Sequence, residues 1–234
     1  MKCNKWIGIL EMGQASTQFY IKLLNEMYRK EHTSQLQFFK LIPTDFEAIN
    51  NLLPNRSDKL DTKIAGSLRE MIMYDIHCVL IPNITIHETV DAVWDLLDTS
   101  LSIAHPLSGT IKRMHDAHWN KAVLFGSKFT MTSDYVRSVF ANADIAIAQP
   151  EPEDIEIIDR VRREVYSENA SAEILEQFND LVKTYSNEMP VLIACTELSI
   201  AINSVNENIL DMARIQVEDA ISIIDNLSIL NEEN

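Results

Sequence analysis

The feature that most constrains the fold of this chain is an alternation between short apolar runs and longer amphipathic segments. Apolar runs of strand length recur at 6–10, 36–42, 78–82, 101–104, 122–125, 145–148 and 191–194. The segments between them place apolar residues at helical spacing. Strands that alternate with helices form a parallel sheet covered by helices. The sequence therefore predicts an α/β protein, and the apolar pattern from Ile209 to Leu230 predicts a long final helix.

The alternation restarts after residue 105, which indicates two similar halves. The length of 234 residues and the hydrophobic content of 46% are sufficient to fill two small cores. We expect two doubly wound lobes with parallel sheets. The first lobe is predicted to contain residues 1–105 plus 206–234, and the second residues 106–205.

Charge and cysteine content exclude several classes of function. The formal net charge of -15, without a basic patch, argues against a nucleic-acid partner. No apolar run is long enough to span a bilayer, and the N-terminal run is too short for a secretory signal, so we expect no membrane association. Cysteines at 3, 78 and 195 are odd in number and lack metal-ligand spacing. A reducing cytoplasm is predicted, without a disulfide framework or a metal site.

The residues that follow the predicted strands are the candidates for ligand binding, because open α/β sheets bind ligands beyond the carboxyl ends of their strands. They are Glu11, Met12, Gly13, Asn83, Ile84, Thr85, His87, Gly126, Ser127, Thr130, Cys195, Thr196 and Glu197. Small hydroxyl and amide groups predominate in this set. Such neutral donors suit a small-molecule carboxylate ligand.

Four of these strand ends resemble motifs of one family. They are Ile7-Gly8-Ile9-Leu10 followed by Met12-Gly13 and Thr17, Pro82-Asn83-Ile84-Thr85-Ile86-His87, Leu124-Phe125-Gly126-Ser127-Lys128-Phe129-Thr130-Met131, and Ala194-Cys195-Thr196-Glu197-Leu198. In this order they resemble the cofactor-independent aspartate/glutamate racemases over nearly the whole chain. The Cys195-Thr196-Glu197 segment is the most specific match.

The resemblance implies a pseudo-symmetric enzyme of amino-acid metabolism with its active site at the interface of the two lobes. It implies a homodimer and no cofactor, in particular no pyridoxal phosphate. Cys195 would exchange a proton with the substrate's α-carbon, and Glu197 would set the local charge state. The α-carboxylate of a small acidic amino acid would be held by Thr85, Ser127, Thr130 and Thr196, together with the Met12-Gly13 loop.

The sequence departs from the family pattern at three kinds of position. Asn83 stands where the family has its first catalytic cysteine, and an amide is not a comparable acid or base near pH 7. Ile84 stands where the family has a carboxylate-binding asparagine. No counterpart is found for the family's distal-carboxylate lysine, with Ser167 the nearest match, or for its arginine after Asp45-Phe46.

Three hypotheses follow from the missing first cysteine. Asn83 could belong to a racemase that favours one enantiomer, with His87 or water relaying the second proton. The chain could instead resemble arylmalonate-type decarboxylases, in which loss of CO2 creates the carbanion and one cysteine protonates it. It could also be a pseudoenzyme that binds a carboxylate without turnover. Cys3 and Cys78 are interpreted as structural or incidental.

Overall fold

The computed structural model describes residues 5–31, 39–97, 99–203 and 206–229. Within these segments the strands are β1 (Ile7–Leu10), β2 (Phe39–Ile42), β3 (Cys78–Leu80), β4 (Ser102–Ile103), β5 (Lys121–Phe125), β6 (Ala146–Ala148), β7 (Val191–Ile193) and β8 (Ile209–Asp211). The helices are α1 (Gln14–Glu31), α2 (Phe46–Asn50), α3 (Asp58–Met73), α4 (His87–Trp94), α5 (Pro106–Asp116), α6 (Lys128–Thr132), α7 (Asp134–Ala141), α8 (Pro152–Tyr166), α9 (Ala172–Ser186), α10 (Thr196–Ala201) and α11 (Met212–Ile229). The predicted α/β class is confirmed.

The chain divides into two compact units, each with its own parallel sheet. The first unit contains residues 1–105 and 216–234, and the second contains residues 106–215. The strand orders are β2-β1-β3-β4 in the first unit and β6-β5-β7-β8 in the second. Every pair is parallel. The two sheets therefore repeat one topology, as expected for pseudo-symmetric lobes.

The C-terminal segment differs from its prediction. Ile209–Asp211 forms strand β8, which pairs with β7 in the register Val191↔Ile209 to Ile193↔Asp211, and the helix begins at Met212. The predicted helix was therefore wrong in its first turn, and the compact second unit extends to Ile215. The cause is length, because three residues are too few for an apolar run to show whether its period is two or 3.6.

The strand order places a candidate binding edge in each unit. The chain order reverses between β1 and β3, and again between β5 and β7, where neighbouring strands leave the sheet toward opposite sides. In doubly wound sheets the ligand crevice lies at this switch point, outside the carboxyl ends of the strands. The loops after β1 and β3, and those after β5 and β7, are the four loops that the sequence motifs occupy.

Each unit has a separate apolar core that fixes these loops. In the first unit, Leu10, Met12, Val79 and Ile81 are buried in one cluster with the apolar faces of α3 and α4. In the second unit, the corresponding cluster is built on residues of β5 and β7 with α8 and α9, and Phe125 and Phe178 are fully buried. Because strand residues next to the loops belong to these clusters, the loops have rigid starting points.

Helix starts in both units are set by side-chain caps that the sequence provides. Ser57, Ser127, Ser133 and Ser171 each accept a hydrogen bond from the backbone N–H three residues later, and Asp45 does the same for α2. A cap of this kind stabilises a helix by about 1 kcal/mol. None of the helices in the described segments combines the length and apolar character that a bilayer span requires.

Candidate functional site

Cys195 occupies the end of β7 in the second unit. Its backbone is extended, with φ -157° and ψ 130°, and it is the residue that precedes the first turn of α10. Its thiol donates a hydrogen bond to Glu197 Oε2 at 2.8 Å. The side chain is half-buried against the core of the second unit. The structure thus brings the predicted Cys195 and Glu197 into direct contact.

The surroundings of Cys195 favour the protonated thiol. Burial is the largest cause that raises the pKa of Cys195 well above its ordinary value, and the negative charge and hydrogen bond of Glu197 raise it further. Backbone N–H groups of Glu197 and Leu198 act in the opposite direction and are weaker. Because a thiolate beside a carboxylate is disfavoured, Cys195 is held as a proton donor at neutral pH.

The loop after β5 lies beside the Cys195 loop. β5 and β7 pair in the register Phe125↔Ile193, and Ala194 N donates to Phe125 O at 2.7 Å. A Cβ added to Gly126 would lie 3.4 Å from Ala194 O and 3.1 Å from Thr130 Cβ. The absence of a side chain at Gly126 therefore lets the β5–α6 loop pack directly on the strand that carries Cys195.

Ser127 and Thr130 form a paired hydroxyl group at the start of α6. Ser127 Oγ accepts from Thr130 N at 3.1 Å, and the two hydroxyl oxygens are 2.9 Å apart. When Thr130 donates within this pair, Ser127 Oγ accepts twice and its own proton is available to a ligand oxygen. Asp159 Oδ1 accepts from Lys128 N at 3.0 Å and so fixes the same turn from α8.

Thr196 and Thr130 are less accessible than the sequence suggests. Their exposed fractions are 5% and 3%, whereas Ser127 is half-buried. The second unit thus contains a thiol, a carboxylate and a hydroxyl pair on two adjacent loops. The predicted substrate contacts of Ser127, Thr130 and Thr196 stay predictions.

The first loop of the first unit is held by its own hydrogen bonds. Met12 N donates to Thr17 Oγ1 at 3.2 Å, and Thr17 N donates to Gly13 O at 3.0 Å. Gly13 has φ +87°, in the left-handed region that favours glycine. The Met12 side chain is buried in the core. Met12 and Gly13 therefore shape the loop, and their predicted contact with substrate stays untested.

Asn83 occupies the end of the β3 segment, where the family would have its first cysteine. Its Oδ1 accepts from Ile86 N at 3.2 Å and closes the turn that leads into α4. Ile84 is 5% exposed and contributes apolar surface instead of a hydrogen bond. Thr85 lies in the same turn and is half-buried. Asn83 thus stabilises this turn, and it offers no acidic proton.

His87 is buried and held at both ring nitrogens. Nδ1 lies 2.9 Å from Asn83 O, and Nε2 lies 3.5 Å from Gln216 Nε2, so Nδ1 carries the proton and Nε2 accepts. Gln216 Oε1 in turn accepts from Tyr20 Oη at 2.7 Å. Burial is the main cause that lowers the pKa of His87 to about 3. These contacts indicate a neutral ring that positions Asn83, and the predicted role of His87 as a proton relay stays a prediction.

Several participants in these networks were missed by sequence reasoning. Tyr20 and Gln216 lie in helices that the sequence shows as apolar patterns. Such a pattern does not reveal that a polar atom within it makes a buried hydrogen bond. Ser199 and Asp211 contact each other near Cys195. Asp211 could have been found, since it follows the apolar pair Ile209-Leu210 as a strand-end residue. In the described segments no group of three or more His, Cys, Asp or Glu side chains could hold a metal ion.

Known proteins resemble this chain in structure but not in overall sequence. No protein-family model matches the sequence, and no curated protein sequence matches it either. The structure is similar to an aspartate racemase homologue from Pyrococcus horikoshii OT3, with a TM-score of 0.80 and 19% identity over 94% of this chain and 99% of that chain. This chain has the aspartate/glutamate racemase fold.

Two further racemases support the same conclusion. An aspartate racemase from Picrophilus torridus matches with a TM-score of 0.72 and 15% identity, over 95% of this chain and 94% of that chain. A glutamate racemase isoform from Bacillus anthracis matches with a TM-score of 0.63 and 13% identity, over 97% of this chain and 83% of that chain. The racemase fold therefore extends over nearly the full length of the sequence.

Proposed function

We propose that the chain is a member of the aspartate/glutamate racemase family that acts at the α-carbon of a small acidic amino acid without a cofactor. The observation that carries this proposal is the Cys195 thiol, which donates to Glu197 at the switch point of the second sheet. Two observations support the proposal: the racemase fold, and the position of the Cys195 thiol in a strand-end motif that resembles the family's.

Cys195 acts as the acid in this proposal. Water on the opposite face of the substrate accepts the α-proton, so the C–H bond breaks and a carbanion forms. The carbanion then takes the proton from Sγ: the S–H bond breaks, a new C–H bond forms, and a thiolate is left beside Glu197. Because the pKa of Cys195 is raised, the thiol is protonated before the reaction. For the same reason, the thiolate left after the reaction readily takes a new proton from a donor such as water. The reverse step, in which Cys195 removes a proton, is disfavoured by the same charge.

The paired hydroxyls of Ser127 and Thr130 are the proposed carboxylate donors. They lie on the loop that packs against the Cys195 strand. Neutral donors that bind an α-carboxylate stabilise the enediolate-like charge that develops when the α-proton leaves. Thr196 and Thr85 are proposed to act with them, as the family resemblance implies.

A second candidate function is favoured by the chemistry at Asn83. Its amide oxygen is used by Ile86 N, and the side chain cannot replace a second thiol. A reaction that needs one acid alone fits this arrangement: loss of CO2 from a malonate-type acid leaves a carbanion, and Cys195 protonates it. This hypothesis is a single-cysteine decarboxylase.

The decisive experiment follows the α-proton by proton NMR in D2O across a panel of amino acids that includes both enantiomers of aspartate and glutamate. We expect the α-proton signal of at least one enantiomer to disappear with the unmodified protein and to persist with Cys195→Ser. Cys78→Ala is the matched control, because Cys78 is fully buried and burial raises its pKa to about 12. Exchange that survives Cys195→Ser would refute the assignment.

The same samples separate the alternatives. CO2 release from aryl- or alkylmalonates without amino-acid exchange would favour the decarboxylase. Absence of both reactions, combined with a rise in the melting temperature on addition of a carboxylate, would indicate a binding protein without turnover.

A further inference from the structure

Asp211 is a buried carboxylate with no role in the proposed function so far. Its side chain is 1% exposed at the end of β8. Oδ1 accepts from Ser199 Oγ at 2.8 Å and from Ala213 N at 3.0 Å, and Oδ2 lies 3.2 Å from Arg214 Nε. A buried carboxylate is costly unless it is paired in this way, so its position is closely determined.

Ser199 connects this carboxylate to the residue that carries the thiol. Its Oγ lies 3.2 Å from Cys195 O, and its N–H donates to the same oxygen at 3.0 Å. Ser199 is 2% exposed and has little room to adopt another rotamer. The single hydroxyl proton of Ser199 goes to the nearer acceptor, Asp211 Oδ1. Asp211 thus fixes the Ser199 side chain, and the Ser199 backbone N–H holds the Cys195 carbonyl.

The strand register explains why the three residues meet. Asp211 is aligned with Ile193 across the β7–β8 pair, so it lies at the same sheet edge as Cys195, two residues further along β7. α10 is a short helix and depends on contacts outside itself for its orientation. A shift of its first turn would move the Cys195 thiol relative to the Glu197 carboxylate.

We propose that Asp211 is a positioning residue that, through the Ser199 hydroxyl, holds Cys195 in contact with Glu197. The inference rests on the proposed function, since that function gives Cys195 the role of acid. Asp211 does not touch the thiol, and its effect is transmitted through Ser199 and the Cys195 carbonyl. Among the described residues named in this network, the charged or titratable groups are Glu197 beside the thiol, and Asp211 with its partner Arg214 at the other end. Burial raises the pKa of Asp211, and the hydrogen bond from Ser199 and the charge of Arg214 act in the opposite direction.

The test measures the pH profile of Cys195 alkylation by iodoacetamide, which requires no substrate. Mass spectrometry of the peptide containing Cys195 excludes alkylation at Cys3 or Cys78. We expect Ser199→Ala and Asp211→Asn each to lower the apparent pKa of Cys195 by about one unit, so that alkylation at a pH below it is about tenfold faster. Loss of the fixed contact with Glu197 is the reason.

The double variant tests whether the two residues act through one chain. Ser199→Ala combined with Asp211→Asn should shift the pKa of Cys195 no further than either change alone, because residues in one network are not additive. Glu197→Gln is the positive control, since it removes the carboxylate that contacts the thiol.

The negative control is Tyr185→Phe in the same unit. It removes a hydroxyl that donates to Asp154 Oδ2 at 2.7 Å and accepts from Glu151 N, and both contacts are remote in sequence from α10. We expect this variant to lower the melting temperature and to leave the pH profile of Cys195 unchanged. If Asp211→Asn does not fold, the pair Ser199→Ala and Ser199→Thr keeps the proposal testable: the first should shift the profile, and the second, which keeps the hydroxyl, should retain it.

The proposal is overturned if either single variant leaves the pKa of Cys195 unchanged, if the two shifts add, or if Tyr185→Phe shifts it equally. These outcomes are independent of turnover. A protein that exchanges no α-proton but shows the predicted thiol profiles would refute the proposed function and leave the role of Asp211 intact.

Discussion

The turn at residues 83–87 in the first unit and the turn at residues 195–199 in the second share one pattern of side-chain contacts but differ in chemistry. Each follows the third strand of its sheet, next to the switch point. In each, the carbonyl of the first residue contacts the side chain four positions later: Asn83 O with His87 Nδ1, and Cys195 O with Ser199 Oγ. Each of those side chains then contacts a residue near the start of the last helix, Gln216 or Asp211.

The first side chain of each turn makes the difference. The Asn83 amide accepts a backbone hydrogen bond and has no proton to exchange, whereas the Cys195 thiol donates to a carboxylate. The same pattern of contacts therefore holds a turn whose first side chain is an amide and a turn whose first side chain is a thiol. Under the proposed function, the two units would contribute unequally to proton transfer.

The largest expected effect comes from making the two turns alike. Asn83→Cys places a thiol at the position that matches Cys195, and we expect racemisation to become at least about 100-fold faster, the contribution of one general acid or base. The cost is the hydrogen bond that Asn83 accepts from Ile86 N, about 1 kcal/mol of stability. Chiral chromatography started from each enantiomer of aspartate measures the gain.

Asn83→Ala is the matched control for that experiment. It loses the same hydrogen bond from Ile86 N without adding a thiol. It therefore separates the loss of stability from the gain in racemisation rate. An Asn83→Cys rate equal to that of Asn83→Ala would show that the two turns are not equivalent in function.

A smaller effect distinguishes the last side chains of the two turns, His87 and Ser199. His87 titrates and Ser199 does not. Because the pKa of His87 falls from 6.5 to about 3 on burial, the unfolded chain binds more protons between these values. Stability therefore decreases as pH falls from about 6.5 toward 3. We expect His87→Gln to flatten this decrease and to cost roughly 2–4 kcal/mol at pH 7 through lost packing and hydrogen bonds.

Urea unfolding of both proteins at a series of pH values measures this slope. His115→Gln serves as the control, since the His115 side chain is exposed and should leave the slope unchanged. An unaltered slope in His87→Gln would mean that another group causes the acid sensitivity of the fold.

Sequence reasoning predicted the parts of this molecule that depend on local pattern. The α/β class follows from periodicity, and the four strand-end loops follow from the position of polar residues after apolar runs. Strand β8 was missed because Ile209–Asp211 is short and continues directly into α11, so its apolar residues fitted a helical period. The strand is defined by pairing with β7, which is a tertiary property.

The candidate site was predictable in its residue types and less so in its contacts. Cys195 and Glu197 are two positions apart, so their contact depends on the extended backbone at Cys195. The burial of His87 could not be anticipated, because its partner Gln216 lies 129 positions away in the sequence. Tyr20, which donates to Gln216, lies 196 positions from Gln216. Long-range partners of a polar side chain leave no signal in a single sequence.

The smallest expected effect concerns the two glycines that follow the first strand of each sheet. Gly13 has φ +87°, and an added Cβ would lie 3.0 Å from Phe46 Cε1, so Gly13→Ala combines backbone strain with a side-chain contact. We expect a loss of about 1–2 kcal/mol. At Gly126 the obstacle is Thr130, whose Cγ2 would lie 3.2 Å from the new Cβ.

Gly126→Ala should therefore cost less stability than Gly13→Ala but displace the hydroxyl pair of Ser127 and Thr130. Urea denaturation gives the two losses of stability. Gly66→Ala in α3 is the reference, since no described atom lies within 4 Å of its new Cβ and alanine favours a helix by about 1 kcal/mol. A larger loss of stability in Gly126→Ala would contradict this expectation. It would mean that the β5–α6 loop is more tightly packed than the loop after β1, and that the positive φ of Gly13 does not decide the difference between them.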